Sequence, residues 1–169
     1  MNVRVSPIEK ENIDRVKFIM NSVLPVTYPN SIYKNLSDGK LSGLVAEMGG
    51  KSVGCIIWKK DHQGKTNILA LGVLVLYREK GVASILLSKC LDGCKDAYLH
   101  VQTDNIDAIQ FYKHRGFRIE KTINKLGNKK DKALTAFNGA AEFFRDCPEG
   151  SSIYNVLRLE IRYNIFIFI

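Results

Sequence analysis

Residues 76–87 read LYREKGVASILL, and the fold turns on what joins the two halves of that stretch. Before it, ILALGVLVL (68–76) is apolar apart from one glycine, the pattern of a central strand buried on both faces. After Gly81, the residues Val82, Ile85, Leu86 and Cys90 fall on one helical stripe that Gly93 stops. A strand-to-helix turn leaves the first helical N–H groups unpaired at the positive end of the helix dipole, which suits an anion. Gly81 admits a backbone conformation closed to other residues and puts no side chain in the way, Ala83 is small, and Arg78 offers charge-assisted hydrogen bonds. The same residues also fit a plain helix behind a solvated charged turn, and R-x-x-G-x-A alone does not separate the two readings.

Upstream, Ile13, Val16, Met20, Val23 and Leu24 keep near-helical spacing behind Asn12 as N-cap, and Pro25 ends the pattern. The loop LPVTYPN (24–30) follows, and Ser31–Leu36 predicts a short helix capped by Asn30 or Ser31. LVAEM (44–48) and SVGCIIWKK (52–60) read as strands around a Gly49–Gly50 hairpin turn. Gly72, inside the central strand, predicts a bulge or a close backbone approach. Downstream, AYLHVQT (97–103) sets Tyr98, His100 and Gln102 on one face against Ala97, Leu99 and Val101 on the other. NIDAIQFYKHR (105–115) predicts a helix capped near Thr103–Asn105 and closed by Gly116.

FRIEKTI (117–123) is a further strand, a helix is predicted from Lys132 to Arg145, and YNVLRLEI (154–161) is a last strand after the turn PEGSSI. The terminal IFIFI (165–169) is apolar and β-prone, open to reading as an edge strand, a partner-covered patch or an adhesive tail. The succession of strand, helix, strand, helix, strand is an α/β (α+β) order without a repeat or a dividing linker, so one domain over 1–169 is expected.

At 169 residues and 46% hydrophobic, the chain has the apolar content of one full core, with roughly 70% of the surface buried on folding. No stretch approaches the ~20 apolar residues of a transmembrane helix, and residues 1–20 lack the layout of a secretory leader, so a cytoplasmic location is expected. Cys55, Cys90, Cys94 and Cys147 form no C-x-x-C pair, and His62, His100 and His114 show no ligand spacing; reduced thiols and no metal are expected. The net charge of +8 points to acidic partners. Within 113–132, Lys113, Arg115, Arg118, Lys121, Lys125, Lys129, Lys130 and Lys132 meet only Glu120 and Asp131, which reads as a solvated basic loop or a docking surface for a polyanion.

The order strand, R-x-x-G-x-A, helix, YLHVQ, N-x-x-A-I-x-F-Y-x-x-x-G-F over residues 68–117 resembles the Gcn5-related N-acetyltransferase (GNAT) family. LPVTYPNSIYKNL, NILALGVL, YREKGVASILL and YLHVQTDNIDAIQFYKHRGF are most similar to N-terminal acetyltransferases of the NatE and NatF types, which acetylate the α-amine of proteins beginning with Met and a hydrophobic residue. The resemblance covers residues 10–122 and fades after Thr122, leaving 123–169 divergent. It implies the GNAT fold: a central mixed twisted sheet of about six to seven strands flanked by about four helices, with an extra helix in an insertion near 128–147. It implies acetyl-CoA as co-substrate, with its pyrophosphate on Arg78, Glu79, Lys80, Gly81, Val82, Ala83 and Ser84. Leu71, Gly72 and Val73 would pair with the pantetheine amides, and Asn105 and Tyr112 would face the cofactor near its sulfur, Tyr112 as a proton source for the departing thiolate. Leu24, Pro25, Val26 and Tyr28 would grip the first residues of a peptide, and His100 would act as general base through water. The implied partners are protein N-termini, together with a larger N-terminal acetyltransferase complex or the ribosome, and no sequence-specific nucleic acid.

Asn67 stands where such enzymes place a tyrosine that shares the base role. Asparagine holds a water but does not titrate, so the proton path rests on His100. NKLGNKK (124–130) offers Leu126 and Gly127 in place of a tyrosine pair. An α-amine of pKa ~7.8 is about one-third neutral near pH ~7.4, and a lysine of pKa ~10.4 about one-thousandth, so losing one base harms lysine acetylation more. N-terminal acetylation is the leading expectation. Acetylation of lysine or of a small-molecule amine is the alternative, since resemblance fixes the donor better than the acceptor, and a catalytically weakened acetyl-CoA or peptide-binding module is the third reading.

Overall fold

The apolar run becomes the middle of a mixed sheet. In a computed structural model that describes residues 2–24, 27–123, 134–140 and 167–168, with side chains to residue 120, the run supplies strand β4 (Thr66–Val73). Strands β1 (Val3–Pro7), β2 (Ser42–Met48) and β3 (Lys51–Lys60) precede it. Strands β5 (Asp96–Gln102), β6 (Arg118–Ile123), β7 (Leu134–Ala140) and β8 (Ile167–Phe168) follow. The order is β1-β2-β3-β4-β5-β7-β6, antiparallel except where β4 lies parallel to β5, and β8 joins β4 in parallel.

Helices α1 (Ile13–Val23) and α2 (Asn30–Ser37) cover one face, and α3 (Val82–Leu91) and α4 (Ile106–Lys113) cover the other. Strand alternation divides the core. Ile56, Ile68, Leu71 and Leu99 join Leu86, Leu87 and Tyr112, whereas Val45, Cys55, Ile57 and Ala70 join Val16, Ile19, Met20 and Tyr33. A strand covered on both faces must be apolar throughout, which is why the periodicity of β3 and β4 is so weak.

The α/β class and the four helices match expectation, and eight strands among the described residues exceed the six to seven expected. β1 was not anticipated from VRVSP; it is an edge strand paired from Val3↔Met48 to Pro7↔Leu44. The helix expected from Lys132 to Arg145 is corrected: Leu134–Ala140 is β7, held between β5 and β6. Pairing on both sides of a strand outweighs local helix preference. The expected strand at 154–161 lies outside the described residues.

The central strand ends at Val73 rather than Leu76. Leu74 N–H bonds to Val53 O at 2.8 Å, and Val75–Tyr77 then forms a single 3₁₀ turn with Leu76 80% exposed. Gly72 marks no bulge; the extra residue is Leu69, because Ile57 pairs with Ala70 while Trp58 pairs with Ile68. What Gly72 provides is a close approach, since a Cβ there would stand 2.6 Å from Val23 Cγ2 of α1. Asn12 sits at the α1 N-cap position, but its side chain turns back to the Glu9 N–H and the Pro7 carbonyl, each at 2.9 Å. α2 starts at Asn30 with Pro29 at its N-cap, one residue before the expected start. The buried stripe of α3 holds Val82, Ala83, Leu86, Leu87, Cys90 and Leu91, broader than the one expected, while Ile85 is half-buried.

Cys55 and Cys90 are buried free thiols and Cys94 is half-buried; burial pushes the Cys55 thiol up to about 12. Cys147 lies outside the described residues. Among the described residues no helix is long and apolar enough to cross a membrane.

Candidate active site

The turn between β4 and α3 is built from unusual backbone. Arg78 is extended, and Glu79 and Gly81 both take left-handed conformations, with φ of 59° and 80°. No side chain caps α3, whose first helical bond runs from Ile85 N–H to Gly81 O at 3.0 Å, so the amides ahead of it have no helical acceptor. Space around Gly81 is open, with no atom within 4 Å of a Cβ built there. The cations of the turn brace the turn itself: Arg78 Nε donates to Val73 O at 3.2 Å, and Lys80 Nζ donates to Leu76 O at 2.9 Å while lying 5.4 Å from the Tyr77 ring centre.

Another cation beside α3 escaped sequence reasoning because it sits within a run of eight basic residues. Arg115 donates from Nη2 to Ser84 Oγ and from Nη1 to Phe111 O at 3.0 Å, with its guanidinium 3.6 Å from the Phe111 ring centre. Of that basic run, Lys113 and Arg118 are exposed, and the side chains from Lys121 onward lie outside the described residues.

β4 and β5 pair only at Thr66↔Ala97, Asn67↔Tyr98 and Ile68↔Leu99. The bulge at Leu69 then bends β4, and the strands diverge. Divergence exposes a β4 edge with unpaired backbone groups, and the edge is taken by β8 at Leu71↔Ile167 and Gly72↔Phe168. The tail IFIFI is therefore a strand of the sheet at Ile167–Phe168, placed in the opening that follows the parallel pairing.

At the closed end of that opening, on the α1–α2 face, stand Asn67, Tyr98 and His100. Asn67 and His100 are 7% and 8% exposed, and Asn67 Oδ1 and His100 Nδ1 have no hydrogen-bond partner among the described residues. A buried polar atom without a partner costs about 1–3 kcal/mol, so these two on adjacent strands call for an explanation. Burial lowers the His100 pKa, which keeps the imidazole neutral and able to accept a proton. Leu24 and Tyr28 are buried in the cluster covering this face. Pro25 and Val26 lie outside the described residues. On the opposite face, Tyr112 is wholly buried edge-on to Phe111 and Phe117, and burial holds its phenol well above its ordinary value. Asn105 caps α4, with Oδ1 accepting from Ala108 N–H at 3.2 Å.

The strand, turn and helix just described lie within residues 13–117, which match the acetyltransferase (GNAT) family model. N-alpha-acetyltransferase 50 of Danio rerio is 32% identical over 130 residues, covering 71% of this chain and 77% of that protein. N-alpha-acetyltransferase 60 of Xenopus tropicalis is 34% identical over 135 residues, covering 63% of this chain, and the match spans only 56% of that relative's length. The solved structure of Arabidopsis thaliana Naa50 in complex with the bisubstrate analogue CoA-Ac-MVNAL has a TM-score of 0.72 and 31% sequence identity, covering 83% of this chain and 99% of that one. The chain belongs to the acetyltransferase (GNAT) family, whose acetyl donor is acetyl-CoA.

Proposed function

We propose that this chain transfers acetyl from acetyl-CoA to the α-amine of protein N-termini that begin with Met and a hydrophobic residue. The observation that carries this reading is the buried pair Asn67 Oδ1 and His100 Nδ1, two unsatisfied acceptors on the face lined by Leu24 and Tyr28. The likeness to Naa50, solved with a CoA–peptide conjugate, supports a peptide acceptor.

The turn fits a pyrophosphate: the left-handed Gly81, the uncapped start of α3 and the amides of Val82, Ala83 and Ser84 form a concave donor set. Arg78, Glu79 and Lys80 contribute mainly backbone, and Arg115 adds a guanidinium at Ser84. When bound, acetyl-CoA supplies a thioester carbonyl and a good leaving thiolate. On this reading β8 leaves Leu71 and Gly72, whose backbone groups with those of Val73 then serve the pantetheine amides. Asn67 and His100 hold a water, and neutral His100 takes the proton that the amine loses through it. The nitrogen forms a bond to the carbonyl carbon as the C–S bond breaks, and Tyr112, with Asn105 at the start of its helix, stands on the donor side to return a proton to sulfur. Leu24, Pro25, Val26 and Tyr28 hold the peptide. The reading places the protein in the cytoplasm, where nascent N-termini emerge, with the 113–132 basic run as a surface for a larger complex or the ribosome.

CoA release from Met-Leu and Met-Lys peptides, compared with an N-acetylated Met-Leu control and with free lysine, tests the proposal. Transfer to lysine or to a small amine in preference to both peptides would redirect it to the other acceptor class. A second reading, a module that binds acetyl-CoA or peptide without turnover, is favoured by Asn67 in place of tyrosine and by β8 on the donor edge. Calorimetric binding of acetyl-CoA without product would select it.

A further inference from the structure

Asn67 and His100 share their face with a third polar residue. Tyr98 is the register partner of Asn67 across the β4–β5 pair, and its ring stands edge-on to His100 with centroids 6.1 Å apart. Its hydroxyl has the side chains of Asp61 and Asn67 as its polar neighbours, with an ordinary hydrogen bond to neither among the described residues. Asp61 comes from the turn that leads into β4 and is held there: Oδ1 accepts from the Gln63 and Lys65 amides, each at 2.9 Å, and the Asp61 N–H bonds to Lys65 O at 3.0 Å. Its buried Oδ2 remains for Tyr98. No ordinary hydrogen bond joins the two, since Oδ2 has no partner at normal distance and angle among the described residues; hydrogen bonds of catalytic sites are often long or poorly aligned until substrate binds.

Chemistry then sets the directions. A carboxylate only accepts, so Tyr98 gives its single proton to Asp61. The phenolic oxygen can accept from Asn67, and within that side chain only Nδ2 donates. An Asn67 amide that donates in this way has Oδ1 turned away from Tyr98, and Oδ1 is the atom left buried without a partner among the described residues. A tyrosine carries one oxygen whose position its ring decides, whereas an amide can sit either way round and needs a neighbour to choose.

We propose that Asp61 and Tyr98 are positioning residues that lock the Asn67 amide, so that its Oδ1 and His100 together hold the water through which the α-amine loses its proton. The proposal rests on the acetyltransfer reading above. It gives the asparagine a definite job in place of the tyrosine, with the missing rigidity supplied by the adjacent strand and the preceding turn.

Tyr98→Phe keeps the ring against His100 and removes the hydroxyl. With a Met-Leu peptide, kcat is expected to fall on the order of tenfold while the KM for acetyl-CoA stays unchanged, and Asp61→Asn should lose a comparable factor. In an Asn67→Ala background neither substitution should cost more, because no amide remains to orient; losses that simply multiply would overturn the proposal. A second readout needs no turnover. The Asn67 side-chain amide protons, followed by NMR in ¹⁵N-labelled protein, should shift and exchange faster with solvent in Tyr98→Phe. Amide signals that stay put would overturn the proposal even if activity fell. Wild-type protein that transfers nothing would sink the proposed function instead, and the amide signals would still decide on the Asp61–Tyr98–Asn67 chain.

Discussion

The proposed donor turn and the proposed acceptor face are attached to the same strand and are made by opposite means. Around Gly81 the backbone supplies the chemistry: left-handed residues at 79 and 81 and an uncapped helix start leave amides free for an anion, while Arg78 and Lys80 are spent on bracing the turn. On the proposed acceptor face the groups are side chains, Asn67 of β4 opposite Tyr98 and His100 of β5. A backbone site tolerates side-chain change as long as its dihedral angles survive. A side-chain site does not: one replacement, Asn67, alters what its neighbours must do.

The sharpest way to break this contrast lies on the acceptor face. His100→Ala should lower kcat by about 10²- to 10⁴-fold, the usual worth of a general base, without lowering acetyl-CoA affinity; stopped-flow and steady-state rates would show it, and a loss under tenfold would refute the dependence on that side chain. On the donor side, Gly81→Val should weaken acetyl-CoA binding by about tenfold or more, because a β-branched residue at φ near 80° costs about 1–3 kcal/mol. Calorimetry of Arg78→Ala should show a smaller loss than Gly81→Val, and the reverse ranking would mean that side chains, not backbone, make the donor site.

Deleting residues 165–169 should tighten acetyl-CoA binding by about two- to tenfold, since one strand hydrogen bond is worth about 0.5–1.5 kcal/mol net; an unchanged Kd would show that β8 does not guard the edge at Leu71 and Gly72. The smallest effect concerns pH. Burial lowers the His100 pKa below its unfolded value of ~6.5. The unfolded chain therefore takes up the proton first, so stability is full above pH ~6.5 and declines as pH falls through the folded value. Urea titrations of wild type and His100→Gln should differ in slope within that acidic window and agree above it.

Much of the candidate site is legible in the sequence because it is carried by contiguous stretches. The apolar run as far as Val73, the charged turn with Gly81, and the alternation that put His100 and Tyr98 on one face stand in the structure where their local pattern placed them, whereas residues 74–76 leave the strand. β1 and β7 were not legible, since an edge strand and a strand of mixed composition are decided by the partners they pair with. Arg115 was hidden among like charges until folding laid it on Ser84 and Phe111.

Sequence alone carried the class of fold, the position of the glycine-containing turn between β4 and α3 and the departure at Asn67, because each depends on neighbours a few residues away and on backbone freedom that residue type controls. Tertiary structure alone decided that Asn67 and Tyr98 stand opposite each other across β4 and β5, that Gly72 makes room for Val23, and that Ile167 and Phe168 close the β4 edge. The reason is physical: strand register and the bend at Leu69 set which distant residues come together, and an exposed backbone edge takes whatever strand the rest of the fold delivers to it.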